Sequence, residues 1–301
     1  MKVSVIMPCY NSQSTLEESI TSVISQTYQN WELIFWDNCS TDSSVSIVKS
    51  FQDPRIQIYT CQQTDPLSIA RNNALKHCKG KYICFLDSDD LWFPDKLTEQ
   101  VEVHEEDSDL MFSYTAGFTV DETGSVIGEF NPVNSSGNTG SLLRRYDVVF
   151  SSSMIKRSES IYFDTILKYC PDYDLFLRLS VLGNFKCLPN KLCSYRVHSD
   201  SLSQTLKSRW SIETKYIINK LIVIDSSLLD SYSNDFRYAA AISDYYMARF
   251  LKESHHNSLL AFPFLFKNVF VSYKFLFLSF LVFLPRLIWV KVLNFKFKRS
   301  H

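Results

Sequence analysis

Short apolar runs alternate with amphipathic stretches through the first part of the chain. VSVIMP (3–8), WELIFW (31–36), RIQIYT (55–60) and KYICFL (81–86) are brief and end at turn-forming residues, the pattern of buried strands. Between them, LEESITSVISQ (16–26) puts Ile20, Val23 and Ile24 on one helical face, and SSVSIVKSF (43–51) and PLSIARNNALKHC (66–78) are spaced as helices. Strand and helix in strict alternation predict right-handed crossovers and a mainly parallel α/β sheet covered on both faces. Sheets of that kind take their ligands beyond the carboxyl ends of the strands. Three polar clusters fall at those ends: Pro8 to Ser12, Asp37 to Asp42, and Asp87 to Asp90. With the strands parallel they form one site.

The rhythm changes after Trp92. A charged helix, PDKLTEQVEVHEED (94–107), precedes strand-like DLMFSYTAGFTV (109–120) and a long Gly/Asn/Ser-rich loop from Gly124 to Gly140, of the sort that is functional or mobile. From Ser151 the pattern gives a short strand, the helix DYDLFLRLSVLG (172–183) and FKCLPNKLCSYRVH (185–198). Residues 208–257 are helical in pattern without evident chemistry, and 258–301 turn to Phe, Leu and Val punctuated by Lys and Arg. The expected organisation is a catalytic domain over 1–207, with a nucleotide-binding half (1–92) and an acceptor half (93–207), then a helical segment and an apolar, basic tail. Within the tail, FLFLSFLVFLP is shorter than the roughly 20 residues of a spanning helix. Lys267, Lys274, Lys291, Lys296, Lys298 and Arg299 among aromatic residues fit segments lying in the interface of an anionic leaflet. A spanning segment from Tyr273 to Val290 and a plain buried helix pair are the other two arrangements open to it.

Composition narrows the function classes. The 301 residues are 46% hydrophobic, enough for one large domain and an appendage. A net charge of -1 with 21% charged residues gives no basic field for nucleic acid. The eight Cys form no CxxC pair and no zinc-like spacing with His, and are expected to be reduced core thiols. MKVSVIMPCYN has one Lys before a short apolar run and no small-residue cleavage site, so no secretory signal is expected and the catalytic part is expected in the cytoplasm.

KYICFLDSDDLW (81–92) carries the chemistry. Asp87, Asp89 and Asp90 crowd the mouth of a buried strand, where like charges repel. A hard divalent cation, Mg²⁺ or Mn²⁺, would cancel that repulsion, and a diphosphate would complete its oxygen shell. Helix capping is the plainer role for such residues, and Asp90, before LWFPDKL, suits it best. Ser40 to Asp42 read equally as a helix start, whereas Asp37 sits where the sheet edge should meet a ligand.

VSVIMPCYNSQSTLEESITSVISQTYQNWELIFWDNCSTD, followed by ARNNALKHCKGKYICFLDSDDLWFPDKLTEQ, PDYDLFLRL and YRVHSDSLS, resembles the family 2 inverting glycosyltransferases of the glycosyltransferase-A fold, over about the first two thirds of the chain. The resemblance implies that Asp37 accepts a hydrogen bond from the donor base, typically uracil. It implies that Pro8, Tyr10 and Asn11 flank the nucleotide, with Tyr10 either facing the base or packing locally. Asp87 and Asp89 look like the DxD pair around Ser88, the first near ribose and metal, the second a direct ligand of Mn²⁺ or Mg²⁺. Arg71 either approaches the nucleotide or pairs with the acidic cluster. Asp172 falls where the family carries its catalytic base, although Pro171 stands where an Glu usually precedes it; Asp174 and Arg178 read as cap and ion pair. Arg196 and His198 fall near the diphosphate or the acceptor, with His198 a candidate metal or phosphate ligand, and Trp92 either stacks on acceptor sugar or packs in the core. The implied reaction moves a sugar from a nucleoside-diphosphate sugar, commonly UDP-linked, to a hydroxyl of a glycan or lipid-linked saccharide in polysaccharide synthesis, on the cytoplasmic face of the membrane.

Other Asp-cluster enzymes fit less well. A phosphatase would want a DxDx[TV]-like nucleophile near the N-terminus and a nucleotidyltransferase a glycine-rich phosphate loop; neither is present, and the chain has only 7 Gly. A catalytically inactive relative serving as a membrane-bound scaffold or sugar-binding module is the contrasting class, and retention of Asp37, Asp87, Asp89 and Asp172 argues against it.

Overall fold

The structure is a computed structural model that describes residues 3–133, 136–198, 209–254 and 257–297. The described chain divides into two compact units, Met1–Asn138 with Asp147–Ser199, and Thr139–Tyr146 with Asp200–His301.

In the first unit, β1 (Val3–Cys9) and β2 (Trp31–Asp37) are buried along their whole length, as two-sided coverage requires. They are joined by β3 (Ile56–Thr60) at one edge and β4 (Tyr82–Phe85) on the other side of β1, all parallel. The crossovers are α1 (Leu16–Ile24), α2 (Ser44–Ser50) and α3 (Leu67–Leu75). Glu32, buried in β2, is satisfied by Ser4 Oγ (2.7 Å), Lys79 N (2.8 Å) and Gln57 Nε2 (2.9 Å), which tie three strands together at the end away from the polar clusters.

Beyond β4 the expectation of a mainly parallel sheet fails. The strand order is β3-β2-β1-β4-β9-β6-β10-β5, with β5 at Leu91–Trp92, β6 at Leu110–Val120, β9 at Met154–Lys156 and β10 at Asn184–Arg196. β9 is antiparallel to both β4 and β6, β6 and β10 are parallel, and β5 is antiparallel to β10. The cause lies in where the chain enters β9. Ser151 accepts from Asp87 N at the carboxyl end of β4 (3.3 Å), so Met154–Lys156, three residues on, can only run back down beside Cys84–Tyr82. The expected loop from Gly124 to Gly140 also contains structure: β7 (Val126–Phe130) folds back on β6 through a turn in which Asp121 Oδ1 accepts from Thr123 N and Ser125 N and Gly124 takes φ +86°, and β8 (Ser136–Gly137) pairs with β10. Two further helices complete the unit, α4 (Lys96–Glu106) and α6 (Pro171–Leu182), the latter with Pro at its first position.

In the second unit, the short helix α5 (Thr139–Arg144) accompanies helices at Arg209–Ile224 and Leu228–Ser254. The apolar tail forms three short helices, Ser258–Phe266, Tyr273–Leu281 and Arg286–Phe297. Ala261, Leu265, Phe275, Leu278, Val282 and Trp289 pack on Ala241, Tyr245 and Ala248 of the long helix. The turn before Pro285 breaks the stretch from Tyr273 to Val290, and among the described residues no helix is long and apolar enough to cross a membrane.

Candidate active site

Parallel register brings the strand-end clusters level. Cys9 lies opposite Asp37, and Asp37 opposite Thr60. Ile6 lies opposite Phe85, so two residues further along each chain Pro8 and Asp87 stand at the same height. The loops beyond are stitched to one another by side chains. Asn11, at φ 51°, donates its N–H to Ser40 Oγ (3.0 Å) and accepts from Thr41 N (2.8 Å). Ser12 N donates to Ser44 Oγ (3.0 Å), and the Ser12 and Ser88 hydroxyls meet at 2.7 Å. Pro8 is buried in β1, while Tyr10 is 53% exposed above it, with its ring free of the core.

Asp37 is buried, and its Oδ1 accepts from Ser40 N at 3.0 Å. Among the described residues nothing donates to Oδ2, so one acceptor remains available at the sheet edge. Arg71 resolves between its two readings as a partner of the acidic cluster: Nη2 donates to Asp87 Oδ1 at 2.8 Å. The guanidinium is buried, lies 4.1 Å from the Phe150 ring centroid, and leaves Nε without a partner.

The three clustered carboxylates have separate surroundings. Asp87 is tethered to Arg71 and one-third exposed. Asp89 is similarly open and its Oδ2 stands 3.1 Å from His198 Nε2. Burial, and then the charge of Asp87, push the Asp89 carboxyl above its ordinary range, with His198 opposing. Asp90 is fully buried and is no helix cap: it accepts from Ser151 Oγ and from Arg196 N (2.9 Å), joining three loops. Burial and the neighbouring Asp89 and Asp87 raise its pKa well above normal.

That crowding is what a divalent cation relieves. Among the described residues no group of three or more His, Cys, Asp or Glu side chains converges as a cage. The Asp89–His198 pair with Asp87 beside it therefore suits an ion held by few protein ligands that brings oxygens of its own, the habit of Mg²⁺ with phosphates.

Other candidates take quieter places. Trp92 belongs to the core, donating from Nε1 to Ser151 O (2.7 Å) over the buried Lys96. Arg196 is a clamp: Nε donates to Asp89 O (2.9 Å), Nη1 to Glu122 O (3.1 Å), and Nη2 to Glu18 Oε2 (3.2 Å). Asp172 is half-buried in the first turn of α6; further along the same helix Arg178 pairs with Asp174 (2.9 Å) and donates to Ser160 O and Tyr162 O. Phe176 of α6 packs 6.4 Å from Phe150, the ring that backs Arg71, so α6 and the acidic loop share one aromatic floor.

Sequence reading missed the hydroxyls beneath the acidic loop. Thr15 Oγ1 and Ser19 Oγ both donate to Ser88 O (2.9 and 3.0 Å), Ser19 Oγ also approaches Asp90 O (2.8 Å), and Ser151 joins Asp87, Asp90 and Trp92. The one signal was a serine on the buried face of α1. The cysteines also divide: six are buried, but Cys39 and Cys61 are half-buried with their sulfurs 2.8 Å apart, which corrects the expectation of eight core thiols.

Known proteins share this architecture. The chain superposes on S. aureus TarS in complex with UDP-GlcNAc with a TM-score of 0.64 at 18% identity, covering 84% of this chain and 72% of that one. It superposes on the mannosyltransferase PcManGT from Pyrobaculum calidifontis, in complex with GDP-Man and Mn²⁺, with a TM-score of 0.59 at 17% identity, covering 99% and 88%. Such identities establish the glycosyltransferase fold alone. In sequence, the chain is 32% identical over 226 residues to UDP-Glc:alpha-D-GlcNAc-diphosphoundecaprenol beta-1,3-glucosyltransferase WfgD of Escherichia coli, covering 73% of this chain and 88% of the relative. The profile of glycosyl transferase family 2 spans residues 4–158, from β1 through the acidic loop to β9. With that match lying over the very strands that converge on the site, the chain belongs to glycosyl transferase family 2.

Proposed function

We propose that the protein transfers a sugar, with inversion, from a UDP-sugar to a hydroxyl of a lipid-linked saccharide during bacterial polysaccharide assembly. The observation that carries this reading is the alignment of Asp37, the Pro8–Asn11 loop and the Asp87–Asp89 pair at one sheet edge, with an acceptor oxygen and a repelling carboxylate pair still open. UDP as the nucleotide is supported by the UDP-glucose in the name of WfgD and the UDP-GlcNAc bound to TarS; the diphosphoundecaprenol acceptor of WfgD supports a lipid-linked one.

In this reading Asp37 Oδ2 accepts from the base N–H and the Tyr10 ring covers the base. Asp87 is oriented by one charge-assisted hydrogen bond, from Arg71 Nη2 to its Oδ1. Asp89, His198 and Asp87 would hold Mg²⁺ or Mn²⁺, which when bound supplies positive charge to the departing diphosphate. Asp172 takes the proton of the acceptor hydroxyl as the new bond forms, a contribution of about 10²- to 10⁴-fold. The lipid-linked acceptor suits a chain whose second unit exposes Phe270 (93%) and Tyr273 (78%) near Lys267 and Lys274, a pattern fit for the cytoplasmic leaflet surface.

Calorimetric titration of UDP, GDP and dTDP, each with and without Mn²⁺, tests the reading. Metal-dependent binding of UDP is expected. Absence of binding by every nucleotide under both conditions would put the inactive scaffold in its place.

A further inference from the structure

The geometry points to a thiol-modification site: Cys39 and Cys61 form a reversible intramolecular disulfide, and its formation weakens binding of the donor nucleotide. The second half rests on the proposed role of Asp37.

The two sulfurs stand 2.8 Å apart, bridging the turn after β2 and the residue after β3. That spacing is shorter than two thiolates on one metal would take, and among the described residues no third His, Cys, Asp or Glu joins the pair to complete a metal site. Two thiolates on one tetrahedral zinc lie about 3.8 Å apart, given Zn–S bonds of roughly 2.3 Å. A disulfide needs about 2.05 Å, so the sulfurs must close by only about 0.75 Å. The local backbone is already committed: Cys39 sits at φ 63°, Cys61 N donates to Asp37 O (3.1 Å), and Asn38 Nδ2 donates to Asp65 O (2.8 Å). Both thiols are half-buried and reachable, whereas Cys9, Cys78, Cys84, Cys170, Cys187 and Cys193 are buried. Burial and then the Cys39 neighbour push the Cys61 thiol up to about 12, so nearness rather than acidity makes this pair reactive.

A small-molecule disulfide, RSSR, is the oxidant class. One protein thiolate attacks it, forming a mixed disulfide and releasing RS⁻. The second protein sulfur then attacks the first, displacing the other RS⁻. Two protein thiols are oxidised, one RSSR is reduced to two RSH, and the two thiol protons pass to the released thiolates. The same closure draws the turn at Cys39 towards the β3 end. Ser40 follows Cys39 directly and supplies both the N–H on Asp37 Oδ1 and the hydroxyl that accepts from Asn11 N, so any shift of the Cys39 turn falls on these two bonds. Losing one such bond corresponds to a fall in affinity of about 2- to 10-fold.

The test treats the full chain with oxidised glutathione. Folded protein should offer two reactive thiols before treatment and none after. Its mass should fall by about 2 Da. Proteolysis should yield a Cys39–Cys61 cross-linked peptide, Tm should rise by about 5–10 °C, and dithiothreitol should reverse all of it. Retained glutathione adducts, a cross-link elsewhere or no reaction would overturn the site. UDP titration of both forms then reads the coupling: weaker binding in the oxidised form, abolished in Cys61→Ser, supports it, and equal affinity in the two forms overturns it. If neither form binds UDP while the cross-link maps to Cys39–Cys61, the proposed nucleotide function has failed and the coupling falls with it, while the thiol site stands.

Discussion

Acidification should destabilise this protein through His104, which packs against Tyr82 at the start of β4 and not among the strand-end clusters. His104 is buried in α4, its ring centroid 4.9 Å from that of Tyr82 and its Nε2 3.1 Å from Ser113 Oγ, which already accepts from Gln100 Nε2. Burial lowers its pKa from 6.5 to about 4, with the charges of Lys156 and Lys81 adding to the effect and backbone carbonyl contacts opposing it. The folded state therefore keeps the ring neutral where the unfolded chain binds a proton. Stability is intact above pH 6.5 and drains away as pH falls from there towards 4. A shift of that size corresponds to about 3 kcal/mol, of which about 2.5 kcal/mol is lost by pH 4.5. Carboxylates titrate over the lower part of the same window, so the measurement is a comparison. Urea unfolding of the wild type and of His104→Gln at pH 7.5 and 4.5 should show the wild type losing about 2–3 kcal/mol more than the variant. Parallel losses would mean that the buried ring is protonated in the folded state, and the reasoning would be wrong.

Three substitutions probe the proposed active site. Asp89→Ala should abolish turnover while Tm holds or rises, because it removes a carboxylate that Asp87 repels; full activity in a sugar-transfer assay would sink the assignment. Asp172→Asn should lower kcat by about 10²- to 10⁴-fold with UDP affinity unchanged, and a matching fall in affinity would make it a donor-binding residue instead. Arg71→Ala strips Asp87 of its cation and leaves a void against Phe150. Because Asp87 is one-third exposed and can hydrate, the cost should be about 2–3 kcal/mol in chemical unfolding, below that of a fully buried pair.

Much of this molecule is legible in one dimension. Apolar runs of strand length closed by polar turns mark β1 to β4, and their parallel order puts Pro8, Asp37 and Asp87 at one edge. Those are local or nearest-neighbour facts, fixed by side-chain periodicity and by the handedness of crossovers. The direction of β9 was not legible, because it depends on Ser151 anchoring the chain at the carboxyl end of β4, a contact between residues 64 apart in sequence. The division of labour among the three aspartates was equally hidden: identical side chains within four residues become a cation's neighbour, a partner of His198 and a buried tether only once Arg71, His198, Ser151 and Arg196 arrive from elsewhere. Sequence determines which groups can carry charge and where the strands end; burial and the company of distant residues, which only the folded chain supplies, decide what each charge is for.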